Sequence, residues 1–410
     1  MRIYHLKGLS KLTKKITSLF LICTLLFTAC GSNELSQPQS AESPAVEVAS
    51  SEVFPKPSET VPSTAASSEA LQTTTDNTTP QPTQTAMEFV ASMGTGWNLG
   101  NSFDPVDCTW LTDEMAYETA WGNPKVTREL IHFIKEQGFD TIRIPVTWTN
   151  HLGPAPEYTI SPDWLNRVQE VVDWCMDEDL YVILNIHHES SWLTKASTDY
   201  EGTMVKYRAI WSQLATHFSD YPDKLLFESM NEIGFDDLGA EQGCMLMNRI
   251  NAEFTDLIRN CGGQNATRYL ILAGYWTDID KSCQGILMPQ DDRVILSVHY
   301  YSPADFAIAE AGTSWGYRNT WGTEEDFAYM EGQFEKLKTT FLDAGTPVIM
   351  GEFGCIIKDK DPASRTLYLT SVANYCRDYG ICPIFWDNGE EIDRTNLQWR
   401  TNGLAQMLVH

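Results

Sequence analysis

The chain has 410 residues, 42% of them hydrophobic, and a formal net charge of −26 at pH 7. The acidic residues are spread along it rather than gathered in one tail, which excludes nucleic acid and an anionic membrane surface as partners and suits a neutral polymer. Length alone admits two or three average domains, yet a single α/β barrel uses about 250 residues, so composition has to set the boundaries.

Residues 1–30 begin with Arg2, Lys7, Lys11, Lys14 and Lys15 and continue with an uncharged run from Ile16 to Ala29, the layout of a secretory signal. The run is too short and too asymmetric for a transmembrane helix. Its end, Leu26-Phe-Thr-Ala-Cys30-Gly31, resembles the cleavage box of bacterial lipoproteins, with Phe27 in place of the usual leucine. That resemblance implies a lipidated Cys30 holding the chain on the bacterial membrane, extracellular or at the cell surface. An ordinary signal peptide with an incidental cysteine is the alternative, and on either reading the chain leaves the cytoplasm.

Residues 31–86 are dominated by Ser, Thr, Pro, Gln, Ala and Glu with hardly an aromatic side chain, too little apolar surface to offset ordering entropy, and read as a flexible linker. Aromatic and branched aliphatic residues then run together to the end, so residues 87–410 form one domain with a full-sized core. The eight cysteines beyond the export segment show no C-x-x-C spacing. Their pairing stays open; Cys175 and Cys376 fall on helix-like stretches where a buried thiol is as reasonable as a disulfide.

Parallel barrel strands are buried on both faces and appear as short apolar runs between amphipathic helices. Met93–Asn98 reads as the first strand, Thr127–Gln137 as a helix stopped by Gly138, and Phe139–Ile144 as the second strand. Ser161 is an N-cap candidate before Pro162, with Trp164, Leu165, Val168, Val171, Val172 and Cys175 along one helix face. Tyr181–Ile186, Lys224–Glu228, Tyr269–Leu272, Val294–Val298, Pro347–Met350 and Cys382–Phe385 complete eight strands, which predicts a single (β/α)₈ barrel. A doubly wound open sheet is the rival, but no Gly-rich phosphate loop follows a strand.

Barrel chemistry sits at the C-terminal strand ends. Here those ends hold Trp97 and Asn98, Arg143, His187 and His188, Asn231 and Glu232, Tyr275 and Trp276, His299, Tyr300 and Tyr301, Glu352, and Trp386. Glu232 and Glu352 each follow an apolar run. Hydrolysis of a glycosidic bond needs two such carboxyl groups, one to protonate the leaving oxygen and one to attack or to activate water. Two solvated glutamates would be the bland reading in so acidic a chain; their position at strand ends argues otherwise.

The motifs Gly96-Trp-Asn-Leu-Gly-Asn101, Ile142-Arg-Ile-Pro-Val146, Asn185-Ile-His-His-Glu189, Ser229-Met-Asn-Glu232, Val298-His-Tyr-Tyr-Ser-Pro303, Gly351-Glu-Phe-Gly354 and Phe385-Trp-Asp-Asn-Gly389, in this order, resemble glycoside hydrolase family 5 and its broad-specificity endoglucanase branch. The resemblance implies a retaining endo-β-1,4-glucanase acting on cellulose, mixed-linkage glucan or xyloglucan, with Glu232 as general acid/base and Glu352 as nucleophile. It implies that Asn231 binds the sugar 2-hydroxyl, that His187 lies in the cleft, that His299 and Tyr301 flank the reacting sugar, and that Trp386 forms a subsite floor. Asn98, His188 and Trp276 are further expected support. Arg143 should hold the pKa of Glu352 down, while an apolar cleft and a second carboxylate raise that of Glu232. Trp97, Trp148, Trp192, Trp315 and Trp321 are candidates for outer subsites; Glu228 is expected to be structural and Glu189 to stand behind the site.

The resemblance implies no metal and no other cofactor, and β-glucan polysaccharide as partner; a monomer is expected, though the sequence does not fix the oligomeric state. Three rivals stay in play. An endo-β-mannanase would use the same frame, a surface glycan-binding protein would have lost catalysis, and a metal-dependent hydrolase would use His187-His188-Glu189, although adjacent histidines on an extended chain point apart.

Overall fold

The computed structural model describes residues 84–410; the expected leader at 1–30 with Cys30, and the stretch expected to be linker up to residue 83, lie outside the described residues. Eight strands, β1 (Gly96–Leu99), β2 (Thr141–Ile144), β3 (Tyr181–Asn185), β4 (Leu225–Glu228), β5 (Leu270–Ala273), β6 (Val294–Tyr300), β7 (Val348–Phe353) and β8 (Cys382–Asp387), close into a barrel. Each is parallel to the next, and β8 returns to β1 with Asn98 opposite Trp386. The predicted helices form at Arg128–Glu136 and Pro162–Asp177. The crossover between β5 and β6 contains only a 3-10 turn at Tyr275–Thr277 and the short α-helix Ile279–Ser282.

Two expectations change. Met93–Thr95 is not strand: Met93 is the C-cap of a helix, α1 (Ala86–Ser92), and Gly94 turns the chain with φ +60, its missing Cβ leaving room for the Asp140 carboxylate. Thr85 and Ala86, read from composition as linker, belong to that helix, because Thr85 and Glu88 exchange bonds in a capping box (Glu88 N to Thr85 Oγ1 3.2 Å, Thr85 N to Glu88 Oε2 2.8 Å). Second, Ser161 does not cap the helix that follows it; its hydroxyl donates to Glu114 Oε2 at 2.9 Å.

The inward positions of a barrel strand alternate, and here they sort by height. The lower layer is apolar: Ile183, Leu226, Ile271, Ile295, Ile349, Cys382 and Ile384 pack in one cluster with Ala86, Phe89, Val90 and Met93 of the α1 segment. Phe89 stacks on Tyr269 at 3.7 Å between centroids and meets Tyr181 edge-on. Two residues further along the strands the inward side chains become Asn98, Arg143, Asn185, Glu228 and Trp386, and on β6 His299 follows Ile295 by four. The dry plug thus sits below and the polar layer above, at the C-terminal mouth. All eight cysteines of the described residues are free, Cys175 and Cys376 among them as buried thiols on helices.

Candidate active site

The upper layer is organised by Arg143, which is fully buried. Its Nε donates to Glu228 Oε2 at 2.7 Å, Nη1 to Glu352 Oε1 at 2.7 Å and to Asn98 Oδ1 at 3.0 Å, and Nη2 to Asn231 Oδ1 at 2.9 Å. Asn185 Nδ2 donates to the same Glu228 oxygen at 2.9 Å. Glu228 is therefore a buried counter-ion, as expected. Asn98 is also wholly buried and spends its amide on the carbonyls of Gly351 and Ile384, so it supports Glu352 from behind rather than meeting substrate.

Glu352 lies within β7, where strict alternation would turn it away from the barrel axis. The register shifts between β6 and β7: Val298 pairs with Met350 and His299 with Glu352, leaving Gly351 as an extra residue. A bulge of this kind re-aims the side chains that follow. Only glycine fits there, since a Cβ would come within 2.5 Å of Ser297 Oγ and 3.1 Å of His299 Nε2. Glu352 consequently points into the mouth, and its Oε2 accepts from the Tyr301 hydroxyl at 2.9 Å.

Glu232 follows β4, with its side chain 39% exposed against 6% for Glu352. His299 Nδ1 is 2.8 Å from Glu232 Oε1 and 3.7 Å from Glu352 Oε2, and one donor atom from each of Glu232, His299 and Glu352 lies within 4.8 Å of the other two. The electrostatic division differs from the expectation. Burial raises Glu352, with the Glu232 charge adding to it, and His299 and Arg143 offset this only in part, so its carboxyl stands above the usual range. Burial pushes Glu232 the same way, but the His299 hydrogen bond and the positive charges of His299 and Arg143 outweigh it and hold it below. Sequence showed Arg143 beside Glu352 but not His299 turned toward Glu232.

His187 and His188 are kept neutral, mainly by burial, His188 at about 4. They do not point apart: the strand ends at Asn185, alternation lapses, and the two rings touch at 4.5 Å between centroids. His187 also stacks parallel to Trp386 at 5.8 Å, and His188 approaches Trp121 at 5.5 Å, making an aromatic strip along the cleft. Asp104, pushed by burial up to about 6, closes a second group with His187 and His188. Neither this group nor the glutamate group suits a metal ion. Asp104 accepts from the backbone of Asn101 and Ser102, His187 lies against Asn185 and Asn231, and a cation beside Glu352 would face the Arg143 guanidinium.

After β5, Trp276 adopts a left-handed backbone (φ 57, ψ 14) and lays its indole over Gly234, where a Cβ would fall 1.8 Å from Nε1. Trp386 is half-buried beside Gly354, which also touches the ring of Tyr301. Of the other tryptophans, Trp97, Trp148 and Trp321 are core, Trp192 lies under Lys206, and Trp315 is exposed. Glu189 accepts from the backbone of Trp148 and Thr149 and from the Trp192 indole, behind the cleft as expected. Sequence reasoning passed over Trp121 and Asn123; the Trp121-Gly-Asn-Pro124 turn outside any regular element was the available signal.

Residues 106–391 match the cellulase (glycosyl hydrolase family 5) family model. Endoglucanase A of Paenibacillus barcinonensis is 39% identical over 340 residues, covering 74% of this chain and 83% of that one. Among solved structures, a broad-specificity endoglucanase of the same family's subfamily 4 from Clostridium acetobutylicum superposes with a TM-score of 0.72 at 34% identity, covering 80% of this chain and 99% of that one. A lichenase from Caldicellulosiruptor sp. F32 in complex with cellotetraose gives 0.75 at 34% identity, covering 80% and 95%.

Removing the Arg143 side chain strands Glu228 in the barrel interior. Arg143→Ala is expected to cost about 3–5 kcal/mol of folding free energy in chemical denaturation, whereas Glu228→Gln, which keeps the shape, costs distinctly less.

Proposed function

The chain belongs to glycosyl hydrolase family 5, and from that membership we propose that it is a retaining endo-β-1,4-glucanase in which Glu352 is the nucleophile and Glu232 the general acid/base. The observation that carries the assignment is the spacing of the carboxylates: an oxygen of each lies within 4.8 Å. This suits direct attack on the anomeric carbon, whereas a water held between the groups for inversion needs about 6.5–9.5 Å.

In the first step Glu352 bonds to the anomeric carbon while Glu232 gives its proton to the departing glycosidic oxygen. Arg143 and Tyr301 each hold one oxygen of the nucleophile, fixing its plane before attack. The resting Glu232 is held ionised by His299; sugar entering the cleft strips water from this partly exposed carboxyl and favours the protonated form. Ester formation then removes the Glu352 charge, so Glu232, its proton spent, becomes a weaker holder of protons. It takes one from the water that cleaves the ester, and Glu352 leaves as carboxylate. Asn231, tied to Arg143, serves the 2-hydroxyl contact that strengthens in the transition state.

Trp386 stands on β8, next to the β7 strand of Glu352, and Trp276 follows β5, next to the β4 strand that leads to Glu232. Flat apolar rings bind the C–H faces of sugars without charge, and one such surface on a strand next to that of each glutamate suits an internal bond of a neutral chain. The relatives named endoglucanase and lichenase favour a β-glucan backbone over mannan. The leader at 1–30 supports export, with Cys30 as lipid anchor.

Glu352→Ala should abolish release of reducing ends from carboxymethylcellulose and lichenan while polysaccharide binding persists, and Glu232→Ala should lower kcat by about 10²–10⁴-fold. Native turnover in the first variant would remove the nucleophile assignment; faster hydrolysis of mannan by the unaltered protein would favour the mannanase reading. The alkaline limb of the kcat/KM profile reports loss of the last proton shared by the Glu232–Glu352 pair. Because His299 lowers the proton affinity of both carboxyls, His299→Ala should move the limb to higher pH, and a limb that stays or falls contradicts the contact. In a bacterial host, Cys30→Ala should shift activity from the membrane fraction to the medium; unchanged membrane association speaks against the anchor.

A further inference from the structure

We infer that Asn123 is a positioning residue for the sugar-binding floor of the cleft, acting through the backbone that supports Trp386. The inference rests on the reading above, in which Trp386 meets the sugar beside Glu352.

Asn123 lies in the long loop between β1 and the helix Arg128–Glu136. Its Nδ2 faces three carbonyl oxygens: Asn388 at 2.9 Å, Asn101 at 3.1 Å and Gly100 at 3.3 Å. An amide nitrogen carries two protons, so three acceptors share them and the group cannot be replaced by a hydroxyl without loss. Gly100 and Asn101 leave the top of β1; Asn388 is two residues past Trp386 at the top of β8. One side chain thus joins the loops that border the indole.

The fit around this joint is tight at both ends. A Cβ on Gly100 would come within 2.8 Å of Trp386 Cζ2 and 2.9 Å of the Asp387 carbonyl, so the Gly100 backbone is the surface against which the indole rests. A Cβ on Gly389, which has φ +95, would fall 2.0 Å from Asn123 Oδ1. Gly100 N also donates to Asp387 O at 3.1 Å, leaving the carbonyl side of the same peptides to Asn123. Trp121, two residues before Asn123, places its ring against His188, so the Trp121–Asn123 turn spans the aromatic strip from its outer edge to its floor. Neither Asn123 nor Gly389 touches Glu232 or Glu352. The expected consequence of losing the amide is a tilt of Trp386 with the acid/base chemistry intact.

The test uses Asn123→Ala, Gly389→Ala and the double variant, assayed on cellotetraose with the folded fraction checked by near-ultraviolet circular dichroism. Each single variant should lower kcat/KM by about ten- to a hundredfold, the loss typical of a misplaced binding surface, with KM raised and the pH profile unchanged. Gly389→Ala should cost less in the Asn123→Ala background than alone, because the atom it strikes is gone. In a Glu352→Ala background, Asn123→Ala should also weaken cellotetraose binding and shrink the accompanying change in tryptophan fluorescence. A purely structural residue would lower Tm and leave the kinetics of folded protein at wild-type values; that result overturns the inference. If Asn123→Ala does not fold, Gly389→Ala decides by the same readouts. Turnover in Glu352→Ala would sink the nucleophile assignment itself, whereas an inactive Glu352→Ala beside a kinetically normal Asn123→Ala sinks only the positioning role.

Discussion

The buried guanidinium of Arg143 is the interaction on which the rest of the site depends. It binds residues from β1, β4 and β7 and the turn after β4 at once, so the position of Glu352 is set by four parts of the barrel rather than by its own rotamer. Removing an ion from water costs several kcal/mol even after relaxation, and here Arg143, Glu228 and Glu352 are all nearly or fully inaccessible. An apolar layer of the same volume would hold a barrel together at least as well. The arrangement is intelligible only as a device for geometry: the planar fork, with donors on three nitrogens, fixes angles as well as distances.

That cost is offset lower down. The cluster of isoleucines, Leu226 and Cys382, closed by Phe89, Val90 and Met93, supplies dry burial at the opposite end of the same strands. Each fully buried large apolar side chain contributes roughly 1.5–3 kcal/mol, and the plug therefore tolerates a mouth rich in charge. Stability at the N-terminal face and chemistry at the C-terminal face are thus two halves of one alternation pattern. The same strands serve both by changing residue type every second position.

This is also why so much was legible in the sequence. Continuous apolar runs located the strands to within a few residues, and the polar residue closing each run located the mouth. Three features were hidden. The bulge at Gly351 turns Glu352 inward, yet in sequence it is one more glycine before a glutamate. The contact of His299 with Glu232 joins residues 67 apart and turns the Glu232 shift downward, while burial turns that of Glu352 upward. Asn123 acts through main-chain carbonyls, which any sequence supplies, so only its place between two loops gives it meaning. Local pattern encodes which face a residue occupies; it does not encode which neighbour it meets after closure.

The reversed pKa directions bear on how the pair works rather than on whether it does. Two carboxyls this close cannot both ionise independently, and the groups around them decide where a single proton rests. Arg143 and Tyr301 hold Glu352 by its two oxygens whatever its charge, while His299 holds Glu232 through one oxygen, on the side open to solvent. On the proposed roles, the rigid member is the one that must form a bond along a fixed line, and the adjustable member is the one that must exchange protons with leaving group and water. In the proposed mechanism substrate entry changes hydration chiefly at Glu232, and ester formation changes charge only at Glu352. Each event acts on the partner's proton affinity through a gap of a few ångströms. A site with both carboxyls equally buried and equally clamped would lose that asymmetry, and with it the means of moving one proton in opposite directions in the two steps.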